Sequence, residues 1–198
     1  YSPSFPHINP RQISLTYNGK TKDGHYFSHI SDESWLCHKA NRQLLPSGGE
    51  LSDNTYYPLK WNSDDIDAAC WLGTVGIPNT QQEQTTVYKS FYTAYKVKHI
   101  RHHNYFDIRG DSAFYDFGTP FRGWIRVTLR NAKAGESIDI DGLKYICNGN
   151  MDEQAYRKFT LPECQRIIIW GDNHFKRNQI QDVETLEIVP YIRHAFDY

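Results

Sequence analysis

Apolar and polar residues alternate along this chain in short runs closed by Gly, Asn, Asp or Pro. Alternation of that period puts one face of a strand against a core and the other in water. The clearest run spans residues 123–130, where Ile125, Val127 and Leu129 interleave with Trp124, Arg126, Thr128 and Arg130. The three aliphatic residues are expected in the core, and Arg126 and Thr128 are expected to point away from it. Further strands are expected over residues 12–17, 25–30, 35–39, 88–92, 105–108, 113–116, 144–147, 165–170 and 184–191. Two segments break the pattern: residues 64–70 suggest a short helical turn opened by an Asp, and residues 151–158 are built of helix-friendly side chains. Turn signals at about ten-residue intervals point to an all-β fold of the β-sandwich or jelly-roll type. Residues 73–84 are polar and aperiodic and make the best junction, so two consecutive units are expected, 1–78 as a partial sandwich and 79–198 as a second one.

Composition narrows the function classes. Aromatics reach 15% while hydrophobic residues total only 39%, so rings must supply much of the buried area. Tyrosine and tryptophan suit strands, and they also suit saccharide binding, because an aromatic face stacks on the C–H side of a pyranose. With 22 Lys and Arg against 23 Asp and Glu, the chain has no strong field for phosphate backbones or anionic lipid, so neither nucleic acid nor membrane is expected as a partner. No stretch approaches the ~20 apolar residues that span a bilayer. The chain opens at Tyr1 rather than Met and reads as a trimmed start, which leaves an already removed signal peptide open. Cys37, Cys70, Cys147 and Cys164 form no C-x-x-C pair, which argues against zinc and thioredoxin-type chemistry; free thiols are favoured over two disulfides.

Several short motifs fall in a recognisable order. Ser31-Asp32-Glu33-Ser34-Trp35 is followed by Gly49-Glu50 with Asp53, then Trp61, Asp64-Asp65 and Trp71, then Tyr115-Asp116-Phe117-Gly118, Gly123-Trp124-Ile125-Arg126-Val127 and Lys133-Ala134-Gly135-Glu136-Ser137-Ile138. This succession resembles the β-sandwich region ahead of the catalytic domain in glycoside hydrolase family 78, the bacterial α-L-rhamnosidases. The family's segment carries D-x-S-W, G-E-x-x-D, a Trp, a D-D-S-x-W turn and D-F-G before a Gly and an alternating strand. Here the D-D-S-x-W turn is longer, running from Asp64 to Trp71, and Tyr56 or Tyr57 stands where the family often has Arg. The resemblance covers roughly residues 11–192 in fragments and fades after about Phe159. It implies an accessory, non-catalytic piece of a hydrolase that cleaves terminal α-L-rhamnosides with inversion. The catalytic glutamates of such enzymes lie in a following (α/α)6 barrel, for which 198 residues without a helix-rich stretch leave no room. The implied partners are the catalytic domain of the same protein and a rhamnose-containing saccharide, and the implied location is periplasmic or secreted in a bacterium.

Trp61, Asp64, Asp65 and Trp71 are the candidate carbohydrate-binding residues, since two rings flank adjacent carboxylates. With Asp67 the same acids could hold calcium, although a capped turn wedged by tryptophans accounts for them as well, and no cofactor is expected. His99, His102 and His103 with Lys96, Lys98 and Arg101 make the most basic patch; His99 and His102 fall on opposite faces of a strand, so a charged edge strand is expected rather than a metal site. Asp107, Asp111, Asp116, Asp139, Asp141 and Asp152 are available to an acid/base pair, but each stands at an expected strand end or turn, where Asp is ordinary. No catalytic residue is assigned. The alternative is an autonomous carbohydrate-binding module using exposed rings among Trp61, Trp71, Trp124 and Trp170, and the exposure of those rings separates the two readings.

Overall fold

A computed structural model describes residues 13–58, 60–76 and 94–191. The chain divides into two units, Tyr1–His38 with Lys60–Tyr88, and Lys39–Leu59 with Lys89–Tyr198. All regular structure among the described residues is strand, apart from one-turn 3-10 helices at Asn54–Tyr56, Ala68–Cys70 and Arg177–Gln179. The fold is all-β.

In the first unit, β1 (Thr16–Lys20) and β2 (Tyr26–Ile30) form an antiparallel hairpin, and β3 (Leu36–Cys37) pairs with β6 (Leu72–Gly73). None of its described residues is buried. The helical turn expected over 64–70 contracts to Ala68–Cys70, with the Asp67 carboxylate accepting the Ala69 amide at 3.0 Å.

The second unit holds β4 (Arg42–Leu44), β5 (Glu50–Asp53), β7 (Tyr95–His102), β8 (Tyr105–Arg109), β9 (Ser112–Arg130), β10 (Ser137–Ile140), β11 (Leu143–Ile146), β12 (Asp152–Tyr156), β13 (Glu163–Gly171) and β14 (Ile180–Pro190). They hydrogen-bond along the path β4-β5-β11-β10-β13-β9-β14-β7, with β8 and β12 attached to β9. Strand β9 is the organising element. Its first half runs between β8 and β13, and its second half, from Gly123 onward, between β12 and β14. The sheet curls through this one strand into the two layers of a sandwich, as strands that pass from one layer to the other do at sandwich corners.

Two glycines make that passage feasible. Gly118 adopts φ +80°, a conformation that L side chains avoid. A Cβ on Gly123 would overlap the Leu186 carbonyl oxygen of β14, so only glycine lets these strands approach this closely. What passes close to Gly123 is thus a neighbouring backbone.

Along β9 the odd positions apart from exposed Thr119 are buried, among them Ala113, Tyr115, Phe117, Phe121, Ile125, Val127 and Leu129, and Val127 and Leu129 are at 0% exposure. They meet Ile138, Ile140, Leu143, Cys164, Ile167, Ile169, Ala155 and Val183 in one core cluster. Burying each such aliphatic side chain is worth about 1.5–3 kcal/mol. The inward set expected over 123–130 is observed, while Arg126 lies on the other face and donates through Nε to Glu184 at 2.8 Å.

Two sequence expectations differ from the structure. Residues 152–156 form β12 rather than a helix, because Ala155 packs into the core and the strand pairs with β9, Ala155 opposite Val127. Residues 39–58 belong with the second unit, because β5 pairs in parallel with β11, whereas division at 78/79 assigned them to the first. The junction expected over 73–84 lies outside the described residues from residue 77 onward, as do the strand expected over 88–92 and the first residue of that expected over 12–17.

Candidate functional site

The four residues singled out for saccharide binding lie in the first unit. Trp61 is 53% exposed, Asp64 and Asp65 are exposed, and Trp71 is half-buried with its ring 5.3 Å from that of His38, tilted by 55°. The capping task in this segment falls to Asp67, not to Asp64 or Asp65. Upstream, the Asp32 carboxylate accepts both the Ser34 amide (2.9 Å) and the Ser34 hydroxyl (2.5 Å), so the D-x-S-W element is a side-chain-closed turn. Those hydrogen bonds hold Asp32 below the usual carboxylate range.

Four of the six acids available for hydrolysis are occupied in structural tasks. Asp116 accepts the Gly118 amide and Arg166 Nε, both at 2.7 Å, and these bonds depress its pKa. Phe117 between them is a core side chain, so the D-F-G element is a turn pinned from both sides. Asp107 is depressed in the same way by Arg109 (2.9 Å) and the Ile108 amide (2.8 Å). Asp139 accepts the Gly142 amide at 3.1 Å and Asp152 pairs with Arg130 at 2.7 Å. Asp141 sits at φ +48° in the β10–β11 turn, and Asp111 lies in the turn between β8 and β9. A general acid needs a raised pKa, and the shifted aspartates are held in the opposite direction.

Three glutamates, two of them already present in the motifs, prove to be buried, a role the sequence did not assign. Glu50 is fully buried and accepts the amides of Lys158 (2.9 Å), Phe159 (3.0 Å) and Thr160 (2.7 Å) and the Thr160 hydroxyl (2.7 Å), with Arg42 at 3.9 Å. Burial opposes its ionisation, yet these donors together outweigh burial and leave its pKa lowered. Glu153 accepts the amides of Asn148 and Gly149 and the Tyr145 hydroxyl (3.0 Å). Glu136 accepts the Lys133 amide and the Gln179 side-chain amide, both at 2.9 Å. Each glutamate ties a connecting segment to the sandwich. A signal existed for two of them, since Gly49-Glu50 and Gly135-Glu136 both place the acid straight after a turn glycine.

All four cysteines are free; Cys37 and Cys70 are exposed, and Cys147 and Cys164 are buried. Burial pushes the Cys147 thiol far up and the Cys164 thiol to about 11. Among the described residues, strand β7 ends the hydrogen-bonded path and carries Lys96, Lys98, Arg101 and His102, the charged edge expected of it. His102 Nδ1 lies 3.3 Å from Asp182, with Glu184 adjacent, but Arg126 already engages Glu184. Apolar side chains are exposed on both of the strands that flank the 103–104 connection: Tyr95, Val97 and Ile100 on β7, which pairs with β14, and Tyr105, Phe106 and Ile108 on β8, which pairs with β9. Among the other tryptophans, Trp170 is 51% exposed, while Trp124 is half-buried and donates its indole N–H to the Thr160 carbonyl at 2.9 Å.

No protein-family model and no curated protein matches the chain. Solved structures do. An α-L-rhamnosidase from Dictyoglumus thermophilum superposes with a TM-score of 0.71 at 20% identity, over 90% of this chain and 22% of that one. A Streptomyces avermitilis α-L-rhamnosidase complexed with L-rhamnose gives a TM-score of 0.68 at 15% identity, over 87% and 19%. A native α-L-rhamnosidase from Aspergillus terreus gives 0.67 at 13%, over 88% and 22%. The likeness is one of fold, and the chain spans about a fifth of the length of each of these structures.

Proposed function

We propose that this chain is an accessory, non-catalytic β-sandwich region of a rhamnosidase-like glycoside hydrolase. One observation carries the reading: nearly the whole chain superposes on a fifth of several rhamnosidases. Two others support it. Asp107, Asp116, Asp139 and Asp152 are engaged by backbone amides or arginines, and the exposed apolar residues of β7 and of β8 offer surface for a catalytic domain of the same protein to cover. In that arrangement the sandwich braces the catalytic domain and fixes one wall of its cleft. The catalytic domain would supply the general acid and the general base, roughly 6.5–9.5 Å apart with water between them, that inversion at a terminal α-L-rhamnoside requires. A periplasmic or secreted bacterial location belongs to the same proposal.

A second reading, an autonomous carbohydrate-binding module, is favoured by the exposure of Trp61 and Trp170. Both readings meet one test. The purified chain is incubated with an aryl α-L-rhamnoside, and product is expected at the buffer rate. Turnover proportional to chain concentration, and abolished by replacing one Asp with Asn, would overturn the accessory reading.

A further inference from the structure

We infer that the cavity beneath the Lys133 and Lys176 turns binds an acidic saccharide, with a sugar carboxylate on the two ammonium groups and its hydroxyls on the side-chain amides of Asn131, Asn173 and Asn178. The cavity is an open concavity of about 390 Å³ in the second unit, with an exposed rim and a buried floor of Glu136 and Gln179, beside the turn after β9, the segment after β13 and the Arg177–Gln179 helical turn. That volume falls in the range, about 300–1,000 Å³, of pockets that take small molecules. The inference rests on the reading of the chain as an accessory region of a glycoside hydrolase and adds to it a sugar class that the region itself would hold.

The floor of the cavity is built rather than incidental. Glu136 and Gln179 are both buried and hydrogen-bonded to one another at 2.9 Å. Each also closes one lysine turn. Glu136 accepts the Lys133 amide at 2.9 Å while its own amide donates to the Lys133 carbonyl. Gln179 accepts the Lys176 amide at 2.7 Å while its amide donates to the Lys176 carbonyl. Gln179 reaches further to the Asn131 carbonyl. One buried pair therefore sets two lysine-bearing turns side by side and fixes Asn131, which is held at φ +56° in the left-handed region. A pre-formed arrangement of this kind lowers the ordering cost of binding.

The chemistry of the rim selects the ligand. Among the described residues Lys133 and Lys176 form no ion pair, whereas Arg130 is held by Asp152 (2.7 Å) and His174 stands 3.7 Å from Asp172. Two unneutralised ammonium groups call for an anion. The Asn side chains each offer a donor and an acceptor, which vicinal hydroxyls satisfy and a fully ionised phosphate, having no donor, does not. The buried Glu136 carboxylate at the floor further disfavours a doubly charged phosphate group, whereas a uronate brings only one charge per ring. His174 is the one ring lining the cavity, so a neutral pyranose would lack the broad aromatic platform it usually stacks on. A uronate-bearing saccharide meets all of these conditions.

The test is a ¹H–¹⁵N NMR titration of the whole chain with trigalacturonate, beside rhamnose and inorganic phosphate. Saturable shifts of the Asn131, Asn173 and Asn178 side-chain amides are expected with trigalacturonate alone. The double variant Lys133→Ala/Lys176→Ala keeps both backbone amides, and so the turns, and should bind roughly 2- to 30-fold more weakly, on the scale of two exposed charge contacts. Asn173→Ala provides a second, single-site variant, which should bind more weakly with the other amide signals unmoved in the free protein. No saturable shift up to about 10 mM, tenfold beyond a millimolar Kd, would overturn the inference. So would equal shifts with phosphate or rhamnose, or full affinity in the double variant. Rhamnoside turnover bears on the accessory reading alone, so either idea can fail while the other stands.

Discussion

Replacing Glu50 by Gln tests the claim that a buried carboxylate, not only apolar burial, holds the segment after β12 onto the sandwich. The wild-type Oε1 accepts the amides of Phe159 and Thr160 and the Thr160 hydroxyl, and Oε2 accepts the Lys158 amide with Arg42 beside it. Glutamine fills the same volume but turns one oxygen into a donor. Set at the Oε2 position, its NH2 would face the Lys158 amide, leaving that N–H without an acceptor and the buried Arg42 without its counter-charge. The bonds at Oε1 would lose their charge assistance. Hydrogen bonds to a charged group contribute about 1.5–3 kcal/mol each, and stranding one buried donor costs about 1–3 kcal/mol. A loss of about 2–4 kcal/mol is therefore expected, or roughly 10 °C in Tm for a unit of this size. The effect carries a pH signature. Because the folded pKa of Glu50 is depressed below 4.5, its contribution is full at neutral pH and is lost as pH falls through the folded value. Thermal melts of both proteins across acid pH should thus show a Tm gap that is widest near neutrality and closes in acid. A gap below about 2 °C at pH 7, or one that does not change with pH, would refute the reasoning.

Val127→Asp should unfold the second unit, because the site has 0% exposure and is flanked by β12 and β14; an unchanged Tm would show that the strand register is wrong. Thiol reagents at mild alkaline pH should label Cys37 and Cys70 rapidly, while Cys147 and Cys164 react only after denaturation; labelling of four thiols in the native chain, counted by mass spectrometry, would contradict the buried sites.

How far the sequence foretold this structure depended on whether a residue's role was local. Ile125, Val127 and Leu129 announce their strand through alternation alone, and the charged edge of β7 could be read from its lysines and histidines. Residues 151–158 misled, because helix-friendly side chains are overruled once Ala155 enters the core and Glu153 turns inward to accept the Asn148 and Gly149 amides. Strands β4 and β5 were invisible for a related reason. They are short, and the inward residues of β5, Glu50 and Ser52, are polar and satisfied or covered by distant segments. The parallel pairing of β5 with β11 also takes residues 39–58 into the second unit, which composition could not show. The lysine cavity draws its side chains from separate turns, so no contiguous motif could reveal it.

The passage of β9 through both layers has a mechanical consequence. Nineteen residues of extended chain make a rod about 60 Å in contour, and its peptide groups are laced to β13 at one end and β14 at the other. A load applied at β7 crosses β14 and enters this rod, then leaves through β13 without traversing any soft loop. The layers are therefore joined by one continuous strand rather than stitched separately, and a load on β14 or on β13 is shared between them through β9.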